Sequence, residues 1–211
     1  MENAFPAPTM ENVILIIDKL PPISTRHGFQ DNPLYAYTLE SISAVYHMEL
    51  KTIFESPFNM AGKIDSVYVN FENQGWFWID PQGVDFFNNV TQRRLENMLT
   101  ELFADGILIN AVTNEASWRR VDIEQVFATF PANTHITGCL SGEAAQGSMT
   151  FMDYISSMQL GETYVFVFGG FIGGDTEMFI TENVKVSNYS IYPYSSISAI
   201  VNQLELQFSG Q

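Results

Sequence analysis

The residues best placed to do chemistry lie in the last quarter of the chain, where the run Tyr164-Val-Phe-Val-Phe168 breaks into Gly169-Gly170-Phe171-Ile172-Gly173-Gly174-Asp175. A continuously apolar, β-prone run predicts a strand covered on both faces of an α/β sheet. Four glycines after it expose bare backbone, which can approach a flat ligand closely and read it with its own N–H and C=O groups. A second short strand, Val184-Lys185-Val186, leads into Ser187-Asn188-Tyr189-Ser190-Ile191-Tyr192, a loop of hydroxyls, one amide and two aromatic rings. Either segment alone reads as readily as a turn. Other reactive side chains are isolated. Cys139 is expected to be a small buried hydrophobe, and His27, His47 and His135 lack metal-ligand spacing and read as structural. Glu55 can serve as a base. Trp76 and Trp78 alternate on a strand and suit a packed hairpin face better than base stacking.

The elements that position these residues alternate. A first strand covers Val13 to Asp18, and a turn-rich stretch follows. Leu34 to His47 predicts a helix leading into a short strand around Thr52 to Phe54, then a loop from Ser56 to Gly62. Ser66 to Phe71 and Gly75 to Ile79 read as a β-hairpin closed by Pro81. A helix capped at Asn89 carries Val90, Leu95, Met98, Leu99, Leu102 and Phe103 on one face and stops near Gly106. Ile107 to Val112 predicts a strand and Asp122 to Phe130 a helix. The final helix, capped by Ser195 or Ser196, puts Ile197, Ile200, Val201 and Leu204 on one stripe and runs to Phe208.

Strand, glycine loop, short strand, Ser-Asn-Tyr and amphipathic terminal helix, in that order, resemble the knotted SPOUT methyltransferases. Within them the chain resembles the ribosomal-RNA pseudouridine N1-methyltransferases of small-subunit biogenesis. Three further segments carry the resemblance: the opening strand Val13-Ile-Leu-Ile-Ile17-Asp18, Glu55-Ser-Pro-Phe-Asn-Met-Ala-Gly62 for the family's Asp-Ser-Pro-Leu-Asn-x-Ala-Gly, and Thr137-Gly-Cys-Leu140 for its Val-Gly-Cys-Met.

The resemblance implies an α/β-knot fold with a C-terminal trefoil knot, in one domain over 13–211 behind a short tail, 1–12. It implies S-adenosylmethionine as cofactor, S-adenosylhomocysteine as product, and a homodimer or a heterodimer with a paralogue. The cofactor positions it carries over are Ala144, Gly169, Gly174, Ser187, Asn188, Tyr189, Ser190, Ile191 and Tyr192. One departure falls in the third cofactor contact, where the family has Lys-Val-Gly-Thr and this chain has Ser141-Gly142-Glu143-Ala144. The acceptor side departs further: where the family has a catalytic Arg-Pro-Asp triplet this chain has Ile42-Ser43-Ala44. Its RNA-clamping arginines become Val84, Phe87 and Thr91, and basic residues of the next strand become Asn110 and Thr113. Arg93 and Arg94 are the nearest RNA-binding candidates, with Arg119-Arg120 the other cation pair. The segment from Glu115 to about Phe130 reads as an insertion. No catalytic residue is assigned by this alignment.

Charge points the same way. The chain of 211 residues has a net charge of −15, yet Asp and Glu total only 24; the deficit is in Lys and Arg, which total 9. With charged residues at 16%, this is not the acid-loaded surface of a salt-adapted protein. An RNA-binding protein gains affinity by neutralising phosphates, and few groups here can do so. A hydrophobic fraction of 46% is ample for a full core. One cysteine excludes an intrachain disulfide and suits a reducing compartment, cytoplasmic or nuclear, nucleolar in a eukaryote. The run Val13 to Ile17 is too short to span a bilayer, so no membrane association is expected. Two functions stay open: an rRNA methyltransferase acting on a pre-ribosomal particle, and a non-catalytic dimeric assembly protein of the same descent, a pseudoenzyme.

Overall fold

The computed structural model describes residues 13–20, 39–83, 90–159, 161–169 and 178–208. Its strands in chain order are β1 (Val13–Leu20), β2 (Ile64–Phe71), β3 (Gly75–Ile79), β4 (Ile107–Ile109), β5 (Ala116–Val121), β6 (Thr134–Ser141), β7 (Met149–Thr150), β8 (Thr163–Gly169) and β9 (Glu182–Ser187). The helices are α1 (Leu39–Phe54), α2 (Pro57–Met60), α3 (Gln92–Asp105), α4 (Ile123–Thr129), α5 (Phe151–Ser157) and α6 (Pro193–Phe208), with a 3-10 turn over Gly142–Ala145. All the strands join one sheet, ordered β4-β5-β3-β2-β1-β8-β6-β9-β7. From β2 to β7 the pairings are parallel; the wing β2-β3-β5-β4 is antiparallel.

The central strand shows why its sequence is unbroken by polar residues. Val13, Leu15 and Ile17 face a core built with α1, α3, α5 and α6, while Ile14 and Ile16 face a second cluster shared with β8, β3 and α4. A strand buried on both faces has no position left for a polar alternation. The helix expected over Asp122 to Phe130 is α4, capped by Asp122 Oδ1 on the N–H groups of Glu124 and Gln125. Its Val126 and Phe127 cover the second face.

The hairpin β2–β3, the stop at Gly106 (φ 72°) and the stripe of α6 agree with the sequence reading. Five expectations need correcting. Thr52 to Phe54 is the last turn of α1, not a strand, because Tyr46, Leu50 and Ile53 bury at helical spacing and Lys51 pairs with Glu55 at 3.6 Å. The expected loop from Ser56 to Gly62 holds α2, capped by Ser56 Oγ on the Asn59 N–H. β4 stops at Ile109 because Asn110 folds the chain back, its Oδ1 accepting from the N–H groups of Val112 and Thr113. Within the segment from Glu115 to about Phe130, where no strand is expected before the helix, β5 lies between β4 and β3 with Trp118 fully buried. α6 begins at Pro193, which needs no N–H partner, and Ser196 lies buried within the helix rather than capping it. The expected cap Asn89, the positions Val84 and Phe87, the tail 1–12, His27 and Gly174 lie outside the described residues. α3 is capped by Thr91, whose Oγ1 accepts from the Arg94 N–H. No helix among the described residues is long and apolar enough to cross a membrane.

Candidate functional site

The parallel strands β8, β6 and β9 are neighbours in the sheet, so their C-terminal ends, Gly169, Ser141 and Ser187, meet at one edge. Ligands of α/β sheets bind outside the carboxyl ends of strands, where loops of bare backbone converge. Gly169 is exposed, and a Cβ built on it would meet no atom of the described residues within 4 Å.

The other two loops touch each other. Gly142 has a left-handed backbone (φ 65°), and a Cβ there would run into Ser190 Oγ and stand 3.0 Å from Ser190 N. Only glycine lets the end of β6 close against the 187–192 loop. Between them lies a cleft of about 210 Å³, lined by Gly142, Glu143, Ala145, Gln146, Lys185 and Asn188. A second, of about 270 Å³, lies toward α5 and α6 and shares Lys185 and Asn188 with the first. Lys185 makes no ion pair among the described residues and is the one cation lining both clefts. Of the positions expected to hold cofactor, Gly169, Asn188, Tyr189 and Tyr192 are exposed at this edge, and Tyr189 N–H is folded back onto Ser187 Oγ at 3.0 Å. Tyr192 stacks on Tyr194 at 5.4 Å, and Ser190 packs on Gly142. Ala144 is exposed, and its neighbour Ala145 is the one that lines the cleft.

At the opposite ends of the same strands the polar groups are satisfied by one another. His135 Nε2 lies 2.9 Å from Glu162 Oε2, its Nδ1 lies 3.6 Å from Glu182 Oε1, and its ring stacks on Tyr164. Tyr154 donates to Glu182 Oε1 at 2.8 Å and lies 2.8 Å from Thr137 Oγ1; burial holds its phenol protonated far above the ordinary range. This is a structural knot of hydrogen bonds, as expected for His135. Among the described residues no three His, Cys, Asp or Glu side chains could hold a metal.

The basic candidates divide. Arg93 and Arg94 are exposed in the first turn of α3. Arg119 lies over the Trp78 ring, and Arg120 over Phe77, donating to the carbonyls of Gln74 and Phe103. Adjacent residues of a strand point to opposite faces, so Arg119 and Arg120 form no common patch. Residues 42–44, aligned with the family's triplet, are part of the continuous helix α1. His47 holds α1 to the start of α3 through Val90 O at 2.6 Å, and Cys139 is buried with its thiol pushed well above its ordinary value by desolvation. Glu55 is tied to Lys51, and Asn59 binds the carbonyls of Phe54 and Pro81 through its Nδ2. The Glu55-to-Gly62 motif therefore has a scaffolding role here.

Sequence reasoning assigned no role to Lys185 or to the buried pair Asp18 and Asn70, where Asn70 Nδ2 donates to Asp18 Oδ1 at 2.8 Å. The signal for Asp18 is a charged residue ending an otherwise apolar strand.

No protein-family model matches the chain, and no curated protein matches it. Solved structures do. The crystal structure of Archaeoglobus fulgidus Nep1 bound to S-adenosylhomocysteine superposes with a TM-score of 0.55 at 13% identity, covering 95% of this chain and 98% of that one. A probable rRNA-methyltransferase from Porphyromonas gingivalis gives a TM-score of 0.44 at 12% identity, covering 96% and 71%. Ribosomal RNA small subunit methyltransferase E from Neisseria gonorrhoeae, bound to S-adenosyl methionine, gives 0.42 at 6%, covering 94% and 67%. At scores under 0.5 the latter two add nothing to the assignment. The first covers nearly all of both chains and shows the fold: this is an α/β-knot, or SPOUT, architecture.

Proposed function

We propose that this chain binds S-adenosylmethionine at the C-terminal edge of β8, β6 and β9, as a divergent relative of the rRNA pseudouridine N1-methyltransferases whose RNA-gripping positions have been lost. One observation carries the reading. The three strand ends that the resemblance assigns to the cofactor converge, and a Cβ on Gly169 would meet no atom of the described residues within 4 Å.

The cofactor, when bound, supplies an activated methyl group on a sulfonium, so the protein's part is positioning. Gly169 and the 187–192 loop offer backbone groups to a flat ring system, and Lys185 offers a positive charge to a carboxylate. Titration calorimetry with S-adenosylhomocysteine tests this: saturable binding is expected for the wild-type chain, and no heat at millimolar ligand would reject it.

A second reading, a non-catalytic dimeric protein of small-subunit assembly, draws on the acceptor side. Arg119 and Arg120 are engaged with aromatic rings and carbonyls, and α1 runs unbroken through the position of the catalytic triplet. Purified wild-type protein with a pseudouridine-containing rRNA hairpin separates the readings, since robust single-turnover methylation favours the enzyme.

A further inference from the structure

We infer that the first cleft at this edge is an amino-acid subsite, in which Glu143 takes the α-ammonium and Lys185 the α-carboxylate of a zwitterionic head group. The inference rests on the cofactor reading above, since S-adenosylmethionine and S-adenosylhomocysteine both end in such a head, and it assigns that end a place.

The cleft of about 210 Å³ is built from two segments. The turn after β6 supplies Gly142, Glu143, Ala145 and Gln146, and the end of β9 supplies Lys185 and Asn188. Backbone fixes one segment against the other. Gly142, in its left-handed conformation (φ 65°), closes on Ser190, and within the 3-10 turn the Gln146 N–H donates to Glu143 O at 3.2 Å. Ala145 is fully buried and anchors the turn. A site whose walls are set before the ligand arrives loses less on binding.

Four polar side chains line this small cleft and do not use one another. Among the described residues, those of Glu143, Gln146, Lys185 and Asn188 make no hydrogen bond or ion pair. Opposite charges that share a cleft without pairing fit a ligand that carries both signs and sits between them. The amides of Gln146 and Asn188 donate and accept, so they serve either end of such a ligand.

Charge selects the class. A phosphate or a lone carboxylate that met Lys185 would also face Glu143, in a chain of net charge −15, and a lone amine that met Glu143 would face Lys185. An α-amino-acid head carries both charges on one carbon and no net charge, so the field of the whole chain does not repel it. Cations are scarce here. Lys and Arg total 9, and Lys185 is placed where both clefts meet. Glu143 stands in the segment where the chain departs from the family's Lys-Val-Gly-Thr, so the pair is a property of this chain.

Titration calorimetry on the full chain with three probes tests the subsite. S-adenosylhomocysteine carries the head group, methylthioadenosine keeps the adenosyl thioether without it, and free methionine carries it without the adenosine. Wild type binds S-adenosylhomocysteine about tenfold to a hundredfold more tightly than methylthioadenosine, as two charge-assisted contacts should give. Glu143→Gln and Lys185→Gln each weaken S-adenosylhomocysteine by about tenfold and leave methylthioadenosine within about twofold of wild type, because only the head-group contact is removed. Either variant decides the matter if the other does not fold. The inference is overturned if a folded variant binds S-adenosylhomocysteine as wild type does, or if both adenosyl ligands weaken together. It is also overturned if wild type binds methylthioadenosine as tightly as S-adenosylhomocysteine, a result that leaves the cofactor reading standing. Heat from methionine alone, lost in Glu143→Gln, keeps the amino-acid subsite and removes the cofactor reading. Silence of all three probes removes both.

Discussion

The two ends of β6, β8 and β9 are built from the same strands and do opposite things. At the N-terminal ends, Thr137, His135, Tyr154, Tyr164, Glu162 and Glu182 consume one another's hydrogen-bonding capacity. At the C-terminal ends, glycines replace side chains, the backbone faces outward and Lys185 stands without an ion pair among the described residues. A closed polar network adds rigidity to a packed region, whereas unfilled space and unspent polar groups leave binding energy for something else. On the proposed reading, the ligand binds at one end and the stabilisation lies at the other.

The sharpest way to break that contrast is Gly169→Val. The branched carbons enter open space, so the melting temperature should change little, while affinity for S-adenosylhomocysteine should fall by roughly a hundredfold or more, since the ligand loses close approach to the backbone. Calorimetry and a thermal melt on the same sample read both. A variant that binds normally would show that the ligand lies elsewhere.

Next in size is a group that belongs to neither end. Glu49 on α1 is fully buried, neither carboxyl oxygen has a hydrogen-bond partner among the described residues, and desolvation pushes its pKa from 4.5 to about 8. The folded state therefore holds a proton that the unfolded state releases near pH 4.5. Stability should decline as pH rises from about 4.5 to about 8 and level off above that, by on the order of a few kcal/mol in total. Glu49→Leu should abolish that decline in urea melts at pH 5 and pH 8; an unchanged slope would contradict the assignment.

At the N-terminal end, Tyr154→Phe removes the donor to Glu182 and should cost about 1–2 kcal/mol of stability. S-adenosylhomocysteine affinity should not move. Its loss there would mean that the two ends are coupled. Lys185→Ala should have the reverse profile, weakening the same ligand by about tenfold as one charge-assisted contact is lost, with stability intact. The smallest effect belongs to Arg93→Ala with Arg94→Ala: the weak binding expected for the rRNA hairpin should disappear in a filter-binding assay at low salt, where electrostatic contacts count most.

Much of the fold was legible because its signals are local. β1 and β8 are apolar without interruption, α6 repeats its apolar residues at helical spacing, and Gly106 ends α3 in the left-handed conformation its position demanded. β5 is hard to read from sequence because its cation pair Arg119-Arg120 breaks the apolar pattern; both residues are exposed, and each guanidinium lies over an aromatic ring on a different face. The last turn of α1 is not legible in the sequence because Thr52 to Phe54 is β-prone in isolation, while the burial of Tyr46, Leu50 and Ile53 is a tertiary fact. In the site, Gly169 and the 187–192 loop could be read from order along the chain. The Gly142–Ser190 contact, the two clefts meeting at Lys185 and the Asp18–Gly169 register could not, since each joins segments far apart in sequence.

Backbone amide chemical-shift mapping with S-adenosylhomocysteine tests the central contrast most directly. The account predicts shifts confined to Ser141 through Gln146, Gly169 and Ser187 through Tyr192, with His135, Glu162 and Glu182 unmoved. Shifts centred on that second set, or none at millimolar ligand, would contradict it.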